Sequence, residues 1–231
     1  MNAKVIIFDF DGTIADTFDA IVRITNRLAV EFGYKPVSEE DIIKFRNLPS
    51  RQIVNQSGIS IFKLPFFLKK VKDELNNEIQ TVEPVRGIKE VLINLKNQEN
   101  KLVIITSNSQ ENVNIFLENN DLINSFSFVC SGTTLFGKNK IINKFIKQHN
   151  INFSQVIYVG DETRDIDAAK RSNIKVVGVS WGFNSKEVLA KQNPDFLIDQ
   201  PNELLEVIAS LKQNSEARIQ HSEGNQWQIQ T

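Results

Sequence analysis

The sequence predicts a doubly wound parallel α/β sheet with an all-helical unit inserted after its first strand. Three observations carry this prediction. Short runs of Val, Ile and Phe without polar alternation recur along the chain, as in strands buried on both faces of a parallel sheet. From Pro84 onward these runs alternate regularly with amphipathic helical segments, the pattern of successive βαβ units. Between residues 17 and about 82 no strand-like run occurs, and the segments there have helical periodicity.

The first strand begins at Val5 and runs through Ile6, Ile7 and Phe8. Alone it has no partner, so it must join the sheet built by the later strands. Thr17 caps a helix to about Phe32, with Phe18, Ile21, Val22, Leu28, Ala29 and Phe32 in one stripe and Gly33 as its stop. A second helix covers 38–45, with Ser38 as cap and Asp41 in its first turn. A short helix follows Ser50. A longer one spans 64–79, with Leu64, Phe67, Leu68, Val71, Leu75 and Ile79 in phase and Pro65 in its first turn. Helix 86–97 presents Ile88, Val91, Leu92 and Leu95 on one face. Strands at 102–105, 127–130, 156–159, 175–179 and 196–198 then alternate with helices at 110–119, 139–149, 163–172, 185–192 and 201–212. The chain thus divides into a core of 1–16 and 83–212, a helical insertion of 17–82, and a polar tail of 213–231 read as disordered.

Composition narrows the function classes. Of 231 residues 24% are charged and 41% hydrophobic, ordinary for a globular protein with a real core. A net charge of −1 gives no bulk attraction to nucleic acid or to an anionic membrane, and neither is expected as a partner. No apolar run is long enough to span a bilayer, and Lys4 leads directly into a strand without a signal-peptide layout, so a cytoplasmic location is expected. The single cysteine, Cys130, excludes an internal disulfide. At the end of a strand expected to be buried, it reads as a small core residue rather than a nucleophile. The two histidines, His149 near a helix end and His221 in the tail, have no partner at ligand spacing, which disfavours zinc or histidine-triad chemistry.

The polar residues that follow the strands point to chemistry. In open α/β sheets ligands bind beyond the carboxyl ends of the strands. Asp9 and Asp11 leave the first strand on one side of the chain if extended geometry persists, and Gly12 then allows a tight bend. The second strand delivers Thr106, Ser107, Asn108 and Ser109, and the segment before the helix at 139 brings Gly137, Lys138 and Lys140. The strand at 156–159 delivers Gly160, Asp161, Glu162 and Asp165. Carboxylates so placed repel one another unless a cation lies among them or one is protonated, and a hard divalent ion, Mg2+ above all, fits that need. Lysine, hydroxyl and backbone donors would then take phosphoryl oxygens, the equipment of phosphoryl transfer.

Asp9-Phe10-Asp11-Gly12-Thr13, Ile105-Thr106-Ser107-Asn108, Lys138, and Gly160-Asp161-Glu162-Thr163-Arg164-Asp165 resemble, in this order, the four motifs of the haloacid dehalogenase superfamily. The resemblance covers roughly residues 4–200. It implies a Rossmann-like core, and it makes the insertion similar to that superfamily's helical cap, in the subgroup of phosphoglycolate phosphatase and beta-phosphoglucomutase. It further implies Asp9 as the nucleophile and Asp11 as the general acid and then base. Mg2+ would be bound by Asp9, the Asp11 backbone carbonyl and Asp161, with Asp165 orienting metal waters or the lysine. Ser107 and the Asn108 amide would bind the phosphoryl group, and Lys138 would neutralise it. The implied substrate is a small phosphate monoester.

Alternatives stay open at several positions. Thr106 replaces Ser107 if the strand ends one residue earlier, and Lys140 competes with Lys138, which Asn139 follows where relatives often carry proline. Glu162 stands where phosphatase relatives commonly have serine and is expected to face solvent. Arg164 is expected to pair with Asp165 or Asp167 or to lie on the surface, and Asp167 to be exposed. Arg46 or Arg51 in the insertion could reach a second anionic group, and Trp181 and Phe183 pack at the core or the rim of the site. The competing activities are a sugar phosphomutase and a non-catalytic phosphate-binding or signalling module. Dehalogenation is disfavoured because relatives that perform it lack the second aspartate, here Asp11.

Overall fold

The computed structural model describes residues 4–60, 62–131 and 137–213. Strands β1 (Val5–Phe8), β2 (Lys101–Ile105), β3 (Phe128–Cys130), β4 (Val156–Gly160), β5 (Lys175–Val179) and β6 (Phe196–Ile198) form one sheet in the order β3-β2-β1-β4-β5-β6. Every pairing is parallel. The winding reverses between β1 and β4, the topological switch point where such sheets open a crevice. Phe8 lies level with Ile104 on one side and Val159 on the other, so Asp9, the turn after Ile105 and Asp161 leave the sheet along a common edge.

Strand residues alternate between two apolar layers, as the pleat requires. Ile6, Phe8, Leu102, Ile104, Ile157 and Val159 pack in one cluster with α5 (Ile88–Asn97), α6 (Gln110–Asn119) and a helix at 203–213, α10. Val5, Ile7, Val103, Ile105, Val156 and Tyr158 pack in the other with α7 (Lys138–Gln148), α8 (Thr163–Arg171) and α9 (Lys186–Ala190).

Residues 17–82 form α1 (Phe18–Phe32), α2 (Glu39–Arg46), α3 (Ser50–Gln56) and α4 (Leu64–Glu78). Ile24 and Leu28 of α1 meet Phe67, Val71 and Leu75 of α4, and this apolar seam is continuous with the sheet layer under Phe10 and Ile14. Phe67 also takes the rings of Phe32 and Tyr34 edge-on at 5.3 and 5.6 Å. By contrast, α2 buries no residue. Polar contacts tie the segment to the sheet edge. Asn184 Nδ2 donates to the Leu48 carbonyl at 3.1 Å, the Ser185 amide to the Arg46 carbonyl at 2.8 Å, and the Ser50 amide to Thr163 Oγ1 at 2.9 Å.

Local chemistry explains most boundaries. Gly33 ends α1 at φ +72°, and Ser38 with Asp41 forms a reciprocal capping box at the start of α2. Thr17 stands at the cap position of α1, but its hydroxyl makes no capping bond. α5 begins at Ile88 rather than at residue 86, because Gly87 turns the chain at φ +85°. β3 departs from expectation. It is an edge strand, with Phe128 41% exposed, so Cys130 is half-buried and packs at the margin of the core, not within it. His149 closes α7 and packs on the rings of Phe128 and Phe145. Of the tail expected to be disordered, 213–231, Gln213 is helical instead, and 214–231 lie outside the described residues. Among the described residues no helix is long and apolar enough to cross a membrane.

Phe116 is fully buried and meets the Phe10 ring edge-on at 5.1 Å. Phe116→Ala is expected to cost about 3–5 kcal/mol, read as a lower urea midpoint with an unchanged slope.

Candidate active site

Asp9 is held at the end of β1, where its amide donates to the Val159 carbonyl at 2.9 Å and extends the ladder by one residue. It is 2% exposed. Its Oδ1 accepts the Phe10 amide at 2.7 Å, and its Oδ2 lies 2.6 Å from Lys138 Nζ but has no aligned hydrogen bond. Lys138, the first residue of α7, lies between Asp9 and Asp165, 2.6 Å from an oxygen of each. Asp165 is saturated: Lys138 and the Tyr158 hydroxyl donate to Oδ1, and the Glu162 amide donates to Oδ2. Lys140 is exposed, which leaves Lys138 as the lysine of this site.

Asp161 is fully buried, with Oδ1 accepting from Thr13 Oγ1 and Oδ2 from the Phe183 amide, each at 2.7 Å. Two glycines make room for it. A Cβ at Gly182 would stand 2.2 Å from Asp161 Oδ2, and one at Gly12, where φ is +74°, would stand 2.4 Å from the same atom. Gly12 therefore satisfies a turn and a close approach at once. Trp181 Nε1 donates to the Thr13 carbonyl at 3.2 Å, and the Phe183 ring meets Phe18 of α1, so these aromatics border the site. Thr13, Gly182 and the Phe183 amide were missed as partners of Asp161, although the Trp-Gly-Phe triplet after β5 signalled a rim.

Asp11 is partly exposed and faces the space beneath the helical segment, with Ser107 beside it in the same wall. Asn108 Nδ2 donates to both Asp11 oxygens, at 3.0 and 3.1 Å. The backbone amides expected to be free here are engaged instead. That of Asn108 donates to Thr106 Oγ1 at 3.0 Å, and that of Ser109 to Asn108 Oδ1 at 2.8 Å. Thr106 is thus turned inward and Ser107 is the hydroxyl facing the cavity, while Asn108 acts on Asp11 rather than offering a free amide.

Two expectations are corrected. Glu162 does not face solvent: its Oε1 pairs with Arg164, and its Oε2 accepts from Ser50 Oγ of α3 at 3.0 Å. Arg164 pairs with neither Asp165 nor Asp167. Its Nε donates to Glu162 Oε1 at 2.8 Å, its Nη2 donates to the same oxygen, and both side chains are only 12% exposed. Asp167 is exposed as expected and pairs along the helix with Arg171. Of the arginines in the insertion, Arg46 stacks over the Phe18 ring at 5.1 Å and Arg51 is exposed.

Asp9, Asp161 and Asp165 bring one carboxylate oxygen each within 4.8 Å of one another. Burial pushes Asp9 up to about 7 against the pull of Lys138. Burial, followed by the charges of Glu162 and Asp9, pushes Asp161 well above the carboxylate range. Burial also raises Asp11, opposed by the hydrogen bonds that reach it. Burial works against the charge of Lys138, but Asp165 and Asp9 together outweigh it and its pKa rises. One ammonium among three buried carboxylates leaves negative charge unbalanced. That imbalance, the oxygen-only donor set and the unaligned Asp9 Oδ2 all fit a hard divalent cation.

A lysine-braced acidic cluster at the carboxyl edge of a parallel sheet defines a class, the phosphoryl-transfer hydrolases with an aspartate at the centre. The family model of haloacid dehalogenase-like hydrolases matches residues 6–179. The chain is 35% identical over 208 residues to the phosphoglycolate phosphatase of Synechococcus elongatus, covering 90% of this chain and 98% of that protein. It is 27% identical over 221 residues to the phosphoglycolate phosphatase of Vibrio parahaemolyticus, covering 90% and 97%. Among solved structures, a haloacid dehalogenase-like hydrolase from Streptococcus pneumoniae superposes with a TM-score of 0.73 at 20% identity, covering 89% and 98%. A predicted phosphatase from Clostridium acetobutylicum superposes with a TM-score of 0.78 at 21% identity, covering 90% and 100%. Both of these likenesses show the shared fold. The chain belongs to the haloacid dehalogenase-like hydrolase family, as a phosphatase similar to phosphoglycolate phosphatases.

Because Asp9 is held above its unfolded value of 3.8, its contribution to stability is fully present below about pH 4 and is lost as pH rises through about 7. A bound divalent cation offsets that loss. Mg2+ is therefore expected to raise the Tm more at about pH 8 than at about pH 5 in a thermal-shift titration. Equal shifts at the two pH values, or none, would remove the cation from this cluster. Gly182→Ala, which drives a methyl into Asp161, is expected to abolish the Mg2+ shift while the fold survives in circular dichroism.

Proposed function

We propose that the protein is a Mg2+-dependent phosphatase that hydrolyses a small phosphate monoester through an aspartyl-phosphate, with the segment 17–82 acting as a cap over the site. The observation that carries this reading is Asp9, a buried carboxylate at the switch point of the sheet, with one oxygen fixed by the Phe10 amide and the other beside Lys138. That other oxygen, Oδ2, attacks phosphorus, and the P–O bond to the alcohol breaks as the Asp9–phosphorus bond forms. Asp11, whose acid form burial favours, donates its proton to the leaving oxygen. It then takes a proton from water, which attacks the aspartyl-phosphate, releases phosphate and restores Asp9. Asn108 keeps both Asp11 oxygens oriented during the exchange.

Ser107, on the cavity side of the β2 turn, donates to a phosphoryl oxygen, and Lys138 balances the charge that builds on the transferring group. Asp165 holds the lysine in place. Mg2+ held by Asp9, the Asp11 carbonyl and Asp161 would supply the positive charge that lets an anionic carboxylate approach an anionic phosphate. The names of the relatives favour phosphoglycolate or an ester much like it.

The first experiment is phosphate release from phosphoglycolate, sugar phosphates, nucleotides and an aryl phosphate, with Mg2+ and then with EDTA. Release from one favoured ester that EDTA abolishes is expected. Asp9→Asn is expected to lower kcat by more than about a thousandfold while the Tm stays at or above that of the parent. Retained turnover in that variant sinks Asp9 as nucleophile, and release that survives EDTA sinks the metal requirement.

A further inference from the structure

The cavity between the helical segment and the sheet edge has a volume of about 710 Å3. Much of its wall is apolar, from α1, α3 and α4, as at Phe18, Val54 and Phe67. Asp11, Ser107 and Asn108 are among its polar lining. Of the cations that also line it, Arg46 and the exposed Lys35 lie in the insertion outside α4, while Arg164 comes from α8 and Lys72 from α4.

Arg164 is fixed before any ligand arrives. Nε and Nη2 are bound to Glu162, and Glu162 is in turn bound to Ser50 of α3. The remaining nitrogen, Nη1, is buried and has no hydrogen-bond partner. A buried donor left unmade costs about 1–3 kcal/mol, and a charged one more, so its persistence calls for an acceptor. Lys72 is half-buried, and no described carboxylate forms an ion pair with its ammonium. Burial lowers its pKa, the charges of Asp11 and Asp73 oppose that, and Arg164 adds to it. Both cations line one cavity, Arg164 with an idle N–H beside its Glu162 partner and Lys72 with no ion pair among the described residues, so each can take a further anionic oxygen. With Ser107 and Lys138 assigned to the phosphoryl group under the phosphatase reading, these two cations are left for a second anion. Arg46 and Arg51 are poorer candidates, since one is committed to the Phe18 ring and the other is exposed.

We propose that Arg164 Nη1 and Lys72 Nζ seat a carboxylate carried by the alcohol part of the substrate, so that the enzyme selects phosphorylated hydroxy acids over neutral phosphate esters. This assignment rests on the phosphatase reading of the same site. A guanidinium edge offers a carboxylate directional donors and an ammonium offers a point charge, so the pair fixes both the orientation and the sign of the ligand. The Glu162 bridge leaves Arg164 little freedom to lose on binding, which favours affinity.

The test compares phosphoglycolate with 2-hydroxyethyl phosphate, in which a neutral hydroxymethyl group replaces the carboxylate. In Arg164→Met and in Lys72→Met, the ratio of kcat/KM for the acid over that for the neutral ester is expected to fall about tenfold or more, through KM. Lys72→Met removes no contact between segment and core, so it keeps the test open if Arg164→Met fails to fold. A ratio unchanged in the variants overturns the seat, because a purely structural loss moves both esters together. Calorimetric binding of the two esters to the Asp9→Asn protein separates the failures. If the parent hydrolyses neither ester, yet Asp9→Asn prefers phosphoglycolate and loses that preference with Lys72→Met, the seat stands and the catalytic reading falls. If neither turnover nor binding distinguishes the esters, the seat falls.

Discussion

Burying three carboxylates beside one ammonium is the constraint on which the rest of the structure depends. A buried charge is tolerated only when it is paired and its remaining hydrogen-bonding capacity is used. Asp165 meets that condition fully, through Lys138, Tyr158 and the Glu162 amide. Asp161 meets it only in its hydrogen bonds, to Thr13 and the Phe183 amide, and has no ion-pair partner among the described residues. Asp9 does not, since one of its oxygens has the lysine beside it and no aligned bond. The residual imbalance therefore falls on Asp9 and Asp161, while Asp165 is paired with the lysine. A scaffold that satisfied all three would be more stable and would leave no oxygen for metal or phosphorus.

Pinning of this kind needs backbone as much as side chains. The parallel register sets Phe8 level with Val159, which places Asp9 and Asp161 on neighbouring strands. The gap into which Asp161 fits exists only because Gly12 and Gly182 carry no Cβ. The loop after β5 closes that gap from above, donating the Phe183 amide and packing its ring on α1. The same loop continues into Asn184 and Ser185, which hold the chain around residues 46–48. One loop thus links the fixed carboxylate to the helical segment above it.

Much of this was legible in the sequence, for identifiable reasons. Central strands buried on both faces reveal themselves as unbroken apolar runs, so β1, β2, β4 and β5 were found nearly to the residue. The edge strand β3 was not read correctly, because its run Phe126–Cys130 is as apolar as a central one, and only the sheet order shows that Phe128 is exposed. Asp9, Asp11, Ser107, Lys138, Asp161 and Asp165 were named because carboxylates and donors gather where strands end. Their partners were harder to see. Thr13, Gly182 and Ser50 act through contacts across 148, 21 and 112 residues, and no local pattern encodes such distances. Glu162 and Arg164 misled for a related reason. A helix start ordinarily faces solvent, and their burial is created by α3 settling on it.

That settling alters the chemistry of the floor. An Arg164 facing water would be hydrated on every nitrogen and would compete with lysines and solvent for any anion. Here Ser50 takes one oxygen of Glu162, the guanidinium takes the other, and only one nitrogen is left over. The helical segment therefore encloses the cavity and also sets the valence of a charged group that belongs to the sheet-edge helix. Lys72 approaches from α4 on the same segment. Recognition of the substrate's far end is in this way shared between core and insertion, and neither half alone presents both cations. The phosphoryl end, under the proposed mechanism, would meet core residues alone. A division of that kind lets the insertion vary its selectivity while Asp9, Lys138 and Asp161 stay where the register of β1 and β4 puts them.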